Sequence, residues 1–208
     1  LRPQKLSEVV GQDHLLGEDG PIGRMLAQKR LASMILWGPP GVGKTTIARL
    51  LADHAGLHFE TLSAVFSGVA DLRKAFEAAK ARRSMGQGTL LFVDEIHRFN
   101  RAQQDSFLPY VEEGVVTLVG ATTENPSFEI NGALLSRCQV FVLKRLDSEA
   151  VEKLLQRAEA HLGKTLPLTP EARTILAGMA DGDGRAQLNF CEILFGYKAK
   201  QPLDGKAL

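Results

Sequence analysis

At 208 residues, 44% of them hydrophobic, the chain is long enough for one large domain or two small ones around a real apolar core. Its 25 Lys and Arg stand against 24 Asp and Glu, and a net charge of +1 sets up no whole-molecule field that would demand a nucleic acid or a membrane surface. Cys138 and Cys191 are its only cysteines and lack metal-ligand spacing, which argues against a disulfide scaffold or a zinc site and suits a reducing, cytoplasmic setting. No apolar run approaches the length of a membrane span and no signal peptide leads the chain; its opening at Leu1 rather than methionine sets the expectation of a piece of something longer.

In chain order, residues 1–12 read as extended, because Pro3 disfavours a helix at Arg2, with Leu6, Val9 and Val10 available to line a pocket. Residues 21–30 read as a helix with Pro21 at an allowed first-turn position. The apolar run Met34, Ile35, Leu36, Trp37 then ends in Gly38-Pro39-Pro40-Gly41-Val42-Gly43-Lys44-Thr45-Thr46, in which Gly38, Gly43, Lys44 and Thr45 fit G-x-x-x-x-G-K-[ST]. A chance match in a chain this long is on the order of one in a hundred at average residue usage. Buried strand, glycine loop and helix in that order are the context a phosphate loop requires. The glycines let backbone N–H groups turn inward on phosphate oxygens, and the helix start adds its free N–H groups and positive dipole end. Lys44 can reach the β- and γ-phosphates of a nucleotide and the Thr45 hydroxyl can ligate Mg²⁺.

Residues 58–64 read as a second strand and residues 69–83 as a helix with Leu72, Ala75, Phe76 and Ala79 on one face. Its basic end, Lys80, Arg82 and Arg83, is either a solvated last turn matched to the helix dipole or a DNA contact. Residues 89–95 place four apolar residues, Leu90 to Val93, before the carboxylates Asp94 and Glu95; ligands of open parallel sheets bind beyond the carboxyl ends of the strands, which brings this pair beside the phosphate loop. Asp94 suits an outer hold on Mg²⁺ through water, and Glu95 suits polarising an attacking water. Residues 101–113 are helical in composition with Pro109 as an internal irregularity, residues 115–119 form another buried strand, and Thr122 and Thr123 at its far end are placed to sense a γ-phosphate. Residues 131–137 form a short helix and 139–143 the last strand. From Asp147 the strand pattern stops: Val151, Leu154, Leu155, Ala158 and Leu162 keep helical spacing, Thr169-Pro170-Glu171 starts a second helix, and a third starts near Asp183 and closes at Gly196. The division expected is an α/β core with a five-stranded parallel sheet over residues 1–145 and a small all-α unit over 146–208.

Phosphate loop, Asp-Glu strand, threonine strand end and helical appendix, in this order, resemble an AAA+ ATPase. Ser136-Arg137-Cys138 is similar to the Ser-Arg-Cys of clamp-loader-type ATPases, whose arginine reaches into a neighbouring subunit's site. Gly182-Asp183-Gly184-Arg185, with Leu188-Asn189 following, is similar to their second sensor. Leu1-Arg2-Pro3 and Val10-Gly11-Gln12 resemble their adenine-pocket segment. Three stretches, residues 33–40, 94–100 and 120–128, look like the MgsA/RarA family of replication-associated recombination ATPases, related to the eukaryotic Werner-interacting ATPase. The family often carries a second arginine where this chain has Ala186.

The resemblance implies ATP and Mg²⁺ as ligands. It implies Lys44, Thr45 and Asp94 around phosphate and metal, Glu95 on the water, and Thr123 with Thr122 second on the γ-phosphate. It further implies Arg185 from the helical lid and Arg137 in trans from a neighbour. A homo-oligomer formed through a longer C-terminal region, DNA as single strands, ends or forks, and a single-stranded-DNA-binding protein are the partners it implies, and no membrane. Arg98 and Arg101 join the Lys80–Arg83 cluster as candidate DNA contacts, with no aromatic stacking platform read beside them. Fork maintenance, recombination and repair stand as the first function; a clamp-loader subunit, a branch-migration motor and an ATP-dependent recruitment module stand as alternatives.

Overall fold

The computed structural model describes residues 2–197 and 201–206; Leu1, part of the adenine-pocket resemblance, lies outside the described residues. Two short helices, α1 (Asp13–Leu16) and α2 (Pro21–Ala27), precede β1 (Met34–Trp37), α3 (Lys44–Ala55), β2 (His58–Ser63), α4 (Val69–Ser84) and β3 (Thr89–Asp94). Then come α5 (Arg101–Asp105), α6 (Leu108–Glu112), β4 (Val116–Thr122), α7 (Pro126–Glu129), α8 (Gly132–Leu135) and β5 (Gln139–Val142). The helices α9 (Ser148–Leu162), α10 (Pro170–Met179) and α11 (Gly184–Gly196) follow.

The strands form one parallel sheet in the order β2-β3-β4-β1-β5. Side chains alternate across it with period two. Met34, Leu36, Leu90, Phe92, Val119 and Ala121 face α3 on one side. Ile35, Leu91, Val93 and Leu118 face the other, against Leu72 and Phe76 of α4 and against Phe107. Both faces are covered, so β1 and β3 are continuous apolar runs rather than alternating ones. Burying each such Leu or Phe contributes about 1.5–3 kcal/mol. The last three helices enclose a separate apolar cluster of Leu155, Ala158, Leu166, Leu176, Cys191 and Leu194. Each starts on the cap its sequence advertises: Asp147 accepts from the Ala150 N–H, Thr169 from Ala172, and Asp183 from Arg185 and Ala186.

Several local expectations are corrected. The leading segment is not wholly extended: Leu6–Glu8 form a 3-10 turn, and Leu6 packs into the core rather than lining a pocket. β4 runs on to Thr122 instead of stopping at Val119, because Gly120 leaves room for Ile35 and Ile96, whose methyl carbons would lie 2.8 and 2.9 Å from a Cβ there. The helix expected over 101–113 breaks at Ser106 and Phe107, and Pro109 sits in the first turn of the second piece, where its missing N–H costs nothing. Both cysteines are free; burial pushes the Cys138 thiol up to about 12 and the Cys191 thiol up to about 11, which makes them inert core residues. No helix among the described residues is long and apolar enough to cross a membrane.

Candidate active site

β3, β4 and β1 are adjacent, in a register that sets Val93 against Gly120 and Trp37 against Thr122, so their carboxyl ends open on one side of the sheet. The glycine loop leaves β1 at that edge. The Gly38 N–H donates to Thr122 O at 3.1 Å, and a Cβ at 38 would lie 2.7 Å from Leu143 O, so the loop start is wedged between β4 and the end of β5. Gly41 and Gly43 hold φ of +70° and +102°, backbone that turns the loop into the N-terminus of α3. The result is a cavity of about 560 Å³ bordered by the loop, by α3's first turn and by the start of α11.

Lys44, Thr45, Asp94, Glu95, Thr123 and Arg185 all line this cavity. The Lys44 ammonium donates to Gly38 O and Pro39 O, both at 2.7 Å. Burial pushes the Lys44 amine down; Glu95 and Asp94 push it back up, Arg185 pushes it down, and Asp183 pushes it up. Residues from three separate segments therefore feel one another's charge in one chamber. Glu95 sits directly after β3 with φ 53° and ψ 43°, a left-handed backbone that costs a non-glycine residue about 1–2 kcal/mol and is held only where surroundings enforce it. Pro40, Gly41, Val42, Gly43, Thr46 and Val10 also border the cavity, as expected, whereas Gly38 and Pro39 serve the site through their carbonyls on Lys44.

One wall is apolar. Val9 and Val10 meet Leu146, Leu154 and Leu188 from the helical region, the chemistry a flat heterocycle wants. Gln12, fully buried, clamps this wall to the strand end by donating to Lys144 O at 2.8 Å and accepting from Lys144 N–H at 3.1 Å. Arg157 of α9 reaches across to donate to Glu8 O at 2.7 Å. Gln12 belongs to the Val10-Gly11-Gln12 stretch named from the sequence, whereas Arg157 was not singled out, since a lone Arg carries no pattern. At the far side, the Gly184 N–H donates to Gly41 O at 3.0 Å, so the first turn of α11 rests on the phosphate loop. That contact brings Arg185 in.

Two expected residues stand elsewhere. Thr122 is fully buried and its hydroxyl is engaged by His97 Nδ1 at 2.8 Å and by the Glu124 N–H at 3.0 Å, so it does not face the cavity beside Thr123. Successive residues of a strand point to opposite faces, and only one of the two threonines can look into the site. Arg137 follows α8 just before β5 begins, at the amino edge of the sheet, where Gln139 N–H bonds Ser33 O at 3.0 Å. Its guanidinium pairs with Glu112 and donates to Ala133 O at 2.7 Å. The opposite edge of the sheet holds its own chain's cavity, which Arg137 does not reach. Of the basic cluster, Arg82 pairs with Glu60 at 2.6 Å, Arg83 donates to Glu113 O at 2.7 Å, and Lys80 lies 5.1 Å over the Tyr110 ring. These are intramolecular uses, nearer the solvated-turn reading than the DNA one. Arg98 and Arg101 are exposed and make no side-chain hydrogen bond or ion pair among the described residues.

A parallel sheet carrying a phosphate loop, an adjacent carboxylate pair on the neighbouring strand end and a helical unit resting on the loop define a nucleotide-binding P-loop ATPase. Residues 34–146 match the ATPase family associated with various cellular activities (AAA), and the chain belongs to that family. It is similar to replication-associated recombination protein A of Escherichia coli K12, 47% identical over 93% of this chain and 44% of that protein, and of Coxiella burnetii, 50% identical over 97% and 46%. ATPase WRNIP1 of Dictyostelium discoideum is 43% identical over 93% of this chain and 22% of its own length. The chain thus spans about half the length, or less, of these curated relatives. Among solved structures, a point mutant of Thermotoga maritima RuvB superposes with a TM-score of 0.77 at 25% identity, covering 98% of this chain and 70% of that one.

Proposed function

We propose that the chain is the catalytic part of a DNA-dependent AAA+ ATPase that acts in replication-fork maintenance, recombination and repair, with residues 1–145 as ATPase core and 146–208 as lid. The convergence of Lys44, Asp94, Glu95, Thr123 and Arg185 on one cavity carries the reading. The triphosphate would lie in the glycine loop with its charge offset by Lys44 and the α3 N-terminus, and the base against the Val9–Val10 wall. The glycine cradle and the Thr45 hydroxyl beside Asp94 fit Mg²⁺, which when bound neutralises charge on the phosphates. Glu95 takes a proton from the attacking water as its oxygen bonds the γ-phosphorus; the bond to the bridging oxygen breaks, and ADP and phosphate leave. Thr123 orients the γ-phosphate or the water, and Arg185 couples the lid to it.

Arg137, held at the other edge of the sheet, supplies its charge to a neighbouring copy, which makes the working form a homo-oligomer. Recombination and replication enter from the relatives' names, and DNA as partner follows from them, with Arg98 and Arg101 as the basic side chains left open to it. A single-stranded-DNA-binding protein is a further partner of this reading. The test is ATP turnover of the native-length protein with and without single-stranded DNA, duplex ends or forks, beside Glu95→Gln. We expect DNA to stimulate the wild type, and Glu95→Gln to bind ATP while its turnover falls ~10²–10⁴-fold. Turnover indifferent to every DNA form would leave a recruitment module, and clamp loading or branch migration in the same reactions would reassign the task.

A further inference from the structure

His97 lies two residues beyond Glu95, and its ring is almost wholly buried, 7% exposed. Its Nε2 is 3.2 Å from Glu95 Oε2, and its Nδ1 is 2.8 Å from Thr122 Oγ1 in β4. The protons on these atoms follow from valence. An ionised carboxylate only accepts, so the tautomer that complements it carries its hydrogen at Nε2, which faces Glu95 as a close polar contact rather than an aligned hydrogen bond. A neutral imidazole then has a lone pair at Nδ1, and the Thr122 hydroxyl is the group placed to donate to it. Thr122 Oγ1 in turn accepts from the Glu124 N–H at 3.0 Å; Glu124 O, at 3.2 Å, is the more distant competitor for the hydroxyl proton. A chain of hydrogen bonds runs from the Glu124 amide to Thr122 to His97, and the far side of the His97 ring rests against Glu95.

We infer that Thr122 and His97 are positioning residues that set the orientation of Glu95 and tie it to the strand end bearing Thr123. Thr122 fixes the imidazole tautomer; His97 fixes which way the Glu95 carboxylate turns; neither meets the nucleotide. Thr123, next in sequence, lines the cavity. A displacement of the β4 tip by a bound γ-phosphate therefore moves the far end of the chain that aims the base. The left-handed backbone at Glu95 belongs to the same device, because it swings the carboxylate back toward the His97 ring that follows it. The inference rests on Glu95 being the base.

The experiment is steady-state ATP hydrolysis and equilibrium ATP binding by the native-length protein carrying Thr122→Val, Thr122→Ser, His97→Gln, Thr122→Val with His97→Gln, and Glu95→Gln. Thr122→Val keeps the shape and removes the donor. It is expected to lower kcat about 10- to 100-fold, the cost of a misplaced catalytic group, with KM and ATP affinity unchanged, and Thr122→Ser restores the rate. The His97→Gln amide can still donate to Glu95 but does not need Thr122, so adding Thr122→Val to it changes kcat no further. Wild-type kcat in Thr122→Val, a loss that serine does not restore, or single effects that multiply in the double variant would overturn the relay. Should Glu95→Gln keep its turnover, the assignment of the base falls and the relay with it; should Glu95→Gln be inactive while Thr122→Val is normal, only the relay falls.

Discussion

The sheet and the three helices after it are built on different principles. In the sheet, β1 and β3 are buried along almost their whole length, with Met34, Ile35, Leu36, Leu90 and Val93 fully enclosed. In the helical unit Ile175, Met179 and Ile193 stay exposed, and the cross-helix tie is an arginine, Arg173, bonded to Glu152 at 2.9 and 3.0 Å and to Glu159 at 2.8 and 3.0 Å. Gln187, fully buried in α11, leaves both side-chain polar atoms without a partner among the described residues. An interlocked apolar sheet fixes the phosphate loop and the carboxylates; the helical unit, held partly by charge and with an unsatisfied amide in it, is the less tightly built half.

The sharpest way to break the contrast is chemical. If Arg137 acts in a neighbour's site, Arg137→Ala and Arg137→Lys should both cut turnover ~10³–10⁵-fold while ATP still binds, since lysine lacks the planar fork. Mixing Arg137→Ala with Lys44→Ala protein should restore part of the activity, measured by phosphate release. Next in size, Phe92→Ala in the sheet should cost about 3–5 kcal/mol in denaturant unfolding and take the nucleotide site with it. A loss confined to the lid would contradict the layered core.

The helical unit should respond to acid through Arg173. The Arg173 guanidinium holds the Glu159 and Glu152 carboxyls below their ordinary value of 4.5. Depressed carboxylates stabilise above that ordinary value and lose the stabilisation as pH falls through the lowered one. Acid unfolding of the helical unit should therefore begin just below pH 4.5, and Arg173→Met should flatten that slope at a cost near neutral pH of roughly 1 kcal/mol, because Glu152 is 42% exposed. Smallest, Gln187→Met should raise the lid's stability by about 1 kcal/mol, read as a shift in Tm, since it removes two unpaired polar atoms without opening a cavity.

What could be read in the chain alone was whatever carries its own pattern. Apolar runs ending in Gly38 and in Asp94-Glu95 gave β1 and β3, the strands on either side of β4, and the helical spacing after Asp147, the Thr169-Pro170-Glu171 start and the start near Asp183 announced the three last helices. Single-turn helices such as α1 and α7 are too short for periodicity and are held by neighbours. The end of β4 was missed because Gly120 read as a turn, when it is a close approach. Partners distant in sequence were missed for the same reason: nothing in the letters pairs His97 with Thr122, Gln12 with Lys144, or Arg82 with Glu60. Which of two adjacent threonines looks inward depends on strand phase, and that phase was set by the three residues the strand gained.

Gly41 is where the sheet's loop touches the lid. A Cβ there would collide with the Asp183 carboxylate, the same group that caps α11. Even one methyl at this position is a shim: it would prop the helical unit ajar and undo the helix start that carries Arg185 in a single stroke. The smallest side chain in the loop is thus the clearance on which the seating of the helical unit against the loop depends.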